Sequence, residues 1–230
     1  MDEYFSDSNR FLDYATGDPA ALYEQIAEGE HQRQDFKFRI DSAQKIAKTL
    51  SAFANTGGGK LLIGVKDNGR ITGIDPEEEY YMIEGAAERY CRPAVPFSAQ
   101  VYETEDGRVL EIAVADSGQR PHLVKDSDEQ YRAYLRQDDE NFAASKAVLR
   151  YLRDKKPQSA RKNMVAYGPI EQALFELFSQ HTLISISQFC RKAKIPIYKG
   201  EKTLALFLKW QIIDWHATDK GIRYRLREQP

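Results

Sequence analysis

Cysteine is almost absent. Cys91 and Cys190 are the only two in 230 residues, and they lie far apart in the chain. That spacing supports neither a disulfide framework nor a zinc site. The four histidines show no ligand spacing, and no nucleophile–base pair stands out. No apolar run approaches the roughly 20 residues of a membrane-crossing helix, so no membrane partner is expected. The opening Met1-Asp2-Glu3-Tyr4-Phe5-Ser6-Asp7 is acidic and carries no basic-then-apolar leader. A cytoplasmic location is the expectation. Internal repeats and low-complexity segments are also missing.

What is there is the composition of a globular protein, 42% hydrophobic and 30% charged. The length allows one large domain, or one domain with a small companion. A net charge of -2 hides an asymmetry: -7 over residues 1–30, -5 over 31–145, +6 over 146–167 and +4 over 168–230. A cationic region of this kind can carry a local nucleic-acid footprint within a chain that is near neutral.

Asp18-Pro19 reads as a helix start and Gly29 as its stop. Arg33 to Arg39 alternates as a strand, with Gln34, Phe36 and Phe38 inward and Arg33, Asp35, Lys37 and Arg39 on a charged outer face. Asp41 is expected to cap a helix with Ile46, Ala47, Leu50 and Phe53 on its apolar side. Gly57-Gly58-Gly59 ends that helix, because the chain reversal needs positive φ. Lys60–Val65 follows as a strand, and Asp67-Asn68-Gly69 as a hairpin turn. Asp75-Pro76 opens a further helix running to about Cys91. A hairpin is expected over 99–115, a strand over 130–136 and a helix over 141–155.

Residues 155–167 read as a basic linker. Beyond them, helices over 169–180, 187–193 and 201–210 precede strands at 212–217 and 222–227, the outline of a winged helix-turn-helix. The fold class is therefore α+β: a mixed α/β sheet domain (18–154) behind an N-terminal tail (1–17), then the linker and a small winged-helix domain (168–230).

The run Gly57-Gly58-Gly59-Lys60 is not a phosphate loop. Such a loop follows a strand and opens a helix, and Ser or Thr follows its lysine. Here the order is reversed and Leu61 follows, so no ATP site is expected. Glu30, Asp35 and Asp67 are a different matter. Asp35 and Lys37 share a strand face, Glu30 enters that strand, and Asp67 leaves a strand that could neighbour it. Three carboxylates at one sheet edge would suit magnesium or manganese, with Lys37 neutralising developing charge at a phosphodiester. The plainer alternative is a turn aspartate and a solvated ion pair.

Glu30-His31-Gln32-Arg33-Gln34-Asp35-Phe36-Lys37, the block Ala52-Phe53-Ala54-Asn55-Thr56-Gly57-Gly58, Ile63-Gly64-Val65-Lys66-Asp67, Gly73, Arg120-Pro121 and Tyr134-Leu135-Arg136 resemble the Schlafen AlbA-like domain. The resemblance covers roughly residues 20–150. It implies a nucleic-acid-binding domain, in bacteria often a DNA-binding or transcriptional-regulator module. In Schlafen members that cleave tRNA and rRNA it implies an acidic triad, which falls here on Glu30, Asp35 and Asp67. Asp35 stands where the family more often has glutamate. Those nucleases join two such lobes, which a homodimer of this chain would supply.

The expected nucleic-acid contacts are Lys37, Arg39 and Arg136 in the first domain and Lys155 and Lys156 in the linker. In the last module they are Lys199, Lys202, Arg223, Arg225 and Arg227, the three arginines alternating with Ile222, Tyr224 and Leu226. Three readings stay open: a DNA-binding regulator, a metal-dependent endoribonuclease acting on structured RNA, and a dimerising adaptor without catalysis.

Overall fold

The structure, a computed structural model, describes residues 15–154 and 168–227. Lys155 and Lys156, with the rest of the expected linker, lie outside the described residues, as does most of the expected tail. The chain divides into two compact units. One comprises residues up to Ser117 together with His122–Asn141; the other comprises Gly118–Pro121 and Phe142 onward.

The first unit runs β1 (Ala15–Thr16), α1 (Pro19–Glu28), β2 (Gln34–Lys37), α2 (Ala43–Asn55), β3 (Gly59–Ile63) and α3 (Pro76–Gly85), which continues as a π-helical turn at Ala86–Tyr90. Then come β4 (Cys91–Arg92), β5 (Ser98–Thr104), β6 (Gly107–Val114), β7 (Leu123–Lys125), β8 (Tyr131–Gln137) and β9 (Glu140–Ala143), the last strand running across the boundary at Asn141. The larger sheet has the order β1-β5-β6-β3-β2, antiparallel at its centre and parallel at both edge pairs, β1–β5 and β2–β3. The smaller sheet has the order β4-β7-β8-β9.

Period two splits the larger sheet's side chains between two cores. Leu61, Ile63, Leu110 and Ile112 pack with Ile46, Leu50 and Phe53 of α2 and Ile83 of α3. Phe36, Leu62, Tyr102 and Val109 pack on the opposite face with Leu22 of α1. Val124 and Tyr134 of the smaller sheet join the first core, so α2 lies between two sheets and is buried nearly all round. That placement explains its polar residues. Asn55 Nδ2 donates to the carbonyls of His122 (3.0 Å) and Tyr134 (3.0 Å), and Asn55 Oδ1 accepts the His122 amide (2.9 Å). Thr56 Oγ1 accepts the amide of Arg136. A buried helix side can carry such groups only if they are hydrogen-bonded.

Four local expectations change. Ser42, not Asp41, caps α2, its hydroxyl accepting the Lys45 amide; Asp41 instead pairs with Lys45. The stretch expected as a helix over 141–155 is β9 followed by α4 (Lys146–Arg153), capped by Ser145. Ala15 and Thr16, expected in the tail, form a sheet edge with Gln100 and Val101. The side of β2 expected to be a charged outer face is covered, and Asp35 is 4% exposed.

The second unit contains α4, α5 (Pro169–Gln180), α6 (Ile186–Ala193), α7 (Ile197–Lys209), β10 (Ile213–His216) and β11 (Arg223–Leu226). Pro169 opens α5, and Ser185 with Gln188 forms a reciprocal cap on α6. α7 begins four residues before the expected Glu201. Glu201 is buried, and the Arg150 guanidinium of α4 lies 3.3 Å from it; Lys209 pairs with Asp154 at 2.8 Å. β10 and β11 pair antiparallel, and Ile184 bridges Tyr224 on the other side of β11 through two backbone hydrogen bonds of 2.9 Å. No helix among the described residues is long and apolar enough to cross a membrane.

Candidate nucleic-acid interface and carboxylate site

β2 is fastened at both ends by its own side chains. Gln34 Nε2 donates to the carbonyls of Gln25 (2.6 Å) and Gly29 (2.8 Å), tying the strand to the end of α1. Glu30 reaches back so that Oε1 accepts the Phe36 amide at 2.8 Å. The alternation then turns Asp35 and Lys37 to the α2 side. Lys37 Nζ lies 2.8 Å from Asp35 Oδ2 as an ion pair, without the donor angle of a hydrogen bond, and donates to the Phe36 carbonyl.

The strongest partner of Asp35 comes from β8. Arg136 is 1% exposed and donates to Asp35 Oδ1 (3.1 Å), the carbonyls of His31 and Gln34, and Asn141 Oδ1. Its guanidinium also lies 5.1 Å from the centre of the Phe53 ring. Arg136 was expected to meet nucleic acid. Its donors are spent inside the protein, so it holds β2 against α2 and β8 instead. Burial pushes the Glu30 carboxyl up, and the neighbouring Asp35 carboxylate adds to that; the Phe36 amide and Lys37 oppose it.

Glu30, Asp35 and Lys37 are thus brought together, as the period of two requires. Asp67 stands apart. It is exposed, the second residue of a turn closed by Gly69 N–H donating to the Lys66 carbonyl (2.8 Å). Among the described residues, no group of three or more His, Cys, Asp or Glu side chains stands where it could hold a metal ion.

The glycine run lines a groove of about 550 Å³ with His31, Arg33, Lys60 and Asp116. Its amides are already occupied: Gly57 donates to Asp116 Oδ1 and Gly58 to the Phe53 carbonyl. Lys60 pairs with the buried Glu111 at 3.1 Å. The run works as a turn. Gly57 and Gly58 sit at φ +91° and +81°, and a Cβ on Gly58 would fall 2.7 Å from the Val114 carbonyl oxygen.

The remaining cations differ in setting. Arg39 is exposed beside the Phe38 ring. Lys199 and Lys202 are exposed on α7, Arg225 and Arg227 are exposed at β11, and Arg223 is half-buried. Sequence reasoning passed over Ser51, Asn55 and His122 as a buried hydrogen-bonded set, although polar residues inside an apolar helical stretch were the available signal. Ser51 Oγ donates to the same His122 carbonyl that Asn55 uses.

Residues 30–145 match the family model Schlafen, AlbA_2. This chain belongs to that family, whose domains bind nucleic acid. No curated protein matches the chain. Among solved structures, it is similar to the DIP2311 protein of Corynebacterium diphtheriae: 24% identity, TM-score 0.40, covering 57% of this chain and 27% of that one. It is also similar to the N-terminal domain of a RecG-related protein from Nitrosomonas europaea: 22% identity, TM-score 0.41, covering 51% of this chain and 86% of that one. The match thus spans little more than a quarter of the Corynebacterium chain.

Proposed function

We propose that this is a cytoplasmic nucleic-acid-binding protein of the DNA-binding transcriptional-regulator kind, acting as a homodimer. In this reading residues 18–154 are the AlbA-like domain, 155–167 a basic connector and 168–230 a winged helix-turn-helix. The order α5, Ile184 bridge, α6, α7, β10, β11 supports the winged-helix part, with Ile184 as the short third strand of the wing.

One observation carries the proposal. In the second unit Arg150, Lys192 and Lys209 are each matched to a carboxylate. The exposed Lys199, Lys202, Arg225 and Arg227 have no ion pair among the described residues. Unmatched surface cations are available to phosphates, and each phosphate contact makes affinity depend on salt. Fluorescence anisotropy on a labelled duplex across a salt series tests this. Replacing Lys199 and Lys202 together by glutamine should flatten the log–log salt slope by about 2. No duplex binding at low salt would sink the proposal. Light scattering at several concentrations checks the dimer.

A second reading, metal-dependent cleavage of structured RNA, is favoured by Glu30 and Asp35 standing together with Lys37. Incubating tRNA with the protein, with and without manganese, beside Glu30→Gln separates the two. Cleavage abolished by that change would support the nuclease; intact tRNA with wild type would remove it.

A further inference from the structure

We infer that Phe38, with Lys66 and Arg39, is a stacking platform for an unpaired base of single-stranded nucleic acid. The inference rests on the nucleic-acid reading above and specifies which form of nucleic acid the first unit takes.

Alternation along β2 turns Phe38 to the side of Phe36, where a core residue is expected. The strand stops at Lys37, however, and Phe38 is left 48% exposed. Backbone contacts set what stands beside it. The Lys37 carbonyl accepts both the Gly64 amide (2.8 Å) and the Val65 amide (3.3 Å), which fastens the end of β2 to the loop carrying Lys66. That loop is closed on itself, since Lys66 N–H donates to the Arg70 carbonyl (3.0 Å) while the Lys66 carbonyl accepts from Gly69. The Lys66 ammonium therefore comes to 5.4 Å from the Phe38 ring centre, and the Arg39 guanidinium to 5.8 Å.

Two cations thus share one half-exposed aromatic ring. Neither cation has an ion pair among the described residues. Asp41 and Glu79 feel the Arg39 charge without closing an ion pair with it: Asp41 pairs with Lys45, and Glu79 accepts the Ile40 amide at 2.9 Å. An apolar protein partner covering Phe38 would have to desolvate both charges without compensation. A nucleic-acid strand offers a flat π-face for the ring and phosphates for the cations, the combination that single-strand-binding surfaces use. A duplex offers phosphates only, because its base faces are stacked within the helix. The platform accordingly favours a strand with an accessible base.

The test uses the whole chain with a short labelled oligothymidine and the blunt duplex of equal length, read by anisotropy. Phe38→Ala should weaken single-strand binding about 5- to 150-fold, the loss of one base–aromatic stack, and leave duplex binding unchanged. Phe38→Trp should restore the affinity, and the indole it introduces should be quenched when the oligonucleotide is added. Lys66→Gln should weaken binding to both forms and lower the salt slope by about 1. Wild-type affinity in Phe38→Ala, or an unquenched indole, would overturn the platform. So would a loss of self-association in Phe38→Ala with oligonucleotide binding intact, since a second copy would then be the occupant. Should wild type bind the duplex but not the single strand, the platform alone falls. Should it bind neither, the nucleic-acid reading falls with it.

Discussion

Arg136→Met separates an interior role for Arg136 from a surface one. The guanidinium is sequestered and serves four acceptors: Asp35 Oδ1, Asn141 Oδ1 and the carbonyls of His31 and Gln34. Counting each lost bond at about 1–3 kcal/mol would overshoot, because methionine refills part of the volume and the polar groups relax toward water. The larger effect is electrostatic. Asp35 is left buried with Lys37 as its remaining ion-pair partner. Breaking a buried pair on one side costs about 3–5 kcal/mol. For a unit of this size that corresponds to a fall in melting temperature of about 10–20 °C, measurable by far-UV circular dichroism. Adding Asp35→Asn removes the stranded charge, so the double variant should melt above the sum of the two single losses, by about 1 kcal/mol or more. If Arg136→Met melts within about 2 °C of wild type, a surface-like cost, while losing nucleic-acid affinity, the interior role assigned here is wrong.

The glycine step offers a matched pair. Gly58→Ala drives a Cβ into the Val114 carbonyl and should cost about 2–4 kcal/mol, whereas Gly57→Ala makes only an ordinary contact with the Arg33 guanidinium at 3.7 Å and should lose just the left-handed penalty of about 1–2 kcal/mol; urea midpoints of the two variants decide. Asp126 tests pH dependence. The Tyr134 hydroxyl, then Lys48 and the Ser127 amide, hold its carboxyl well below the usual range. Its stabilisation is therefore full above about pH 3.9 and is lost as pH falls through the folded value. Asp126→Asn should cost about 1–3 kcal/mol at pH 7, and the melting curves should converge in acid. Glu30 has the opposite sign. Its raised carboxyl favours the fold below about pH 4.3, and that contribution is lost as pH climbs through the folded value, so Glu30→Gln should flatten this loss.

Legibility in the sequence followed the length scale of the signal. Pro169 and a clean apolar period marked α5 to the residue, and the pairing of β10 with β11 across Thr218–Gly221 followed from alternation and a turn glycine. β1, β4 and β7 are two or three residues long, too short for any period to register. The reading of 141–155 as one helix failed because Ser145 is a start signal, and the residues before it extend β9. For the carboxylate site, period two was enough to put Asp35 and Lys37 on one face. It could not reveal that this face is closed by Arg136, about a hundred residues later, because burial of a strand is set by the layer that lands on it. The exposure of Asp67 was equally hidden: the turn runs from Lys66 to Gly69, one residue earlier than Asp67-Asn68-Gly69 suggested, and leaves the aspartate in solvent.

The three-glycine step between α2 and β3 has a consequence for insertions and deletions. β2 and β3 pair in parallel, with Asp35 opposite Leu61 and Lys37 opposite Ile63. Because successive side chains alternate, the number of residues in that step sets the phase of β3. Removing one glycine would send Lys60 and Leu62 toward α2 and turn Leu61 and Ile63 away from it. Most surface loops can change length at little cost, but this one acts as a spacer. To keep Asp35 opposite Leu61 with the same face toward α2, the step must stay at three residues, Gly57 to Gly59.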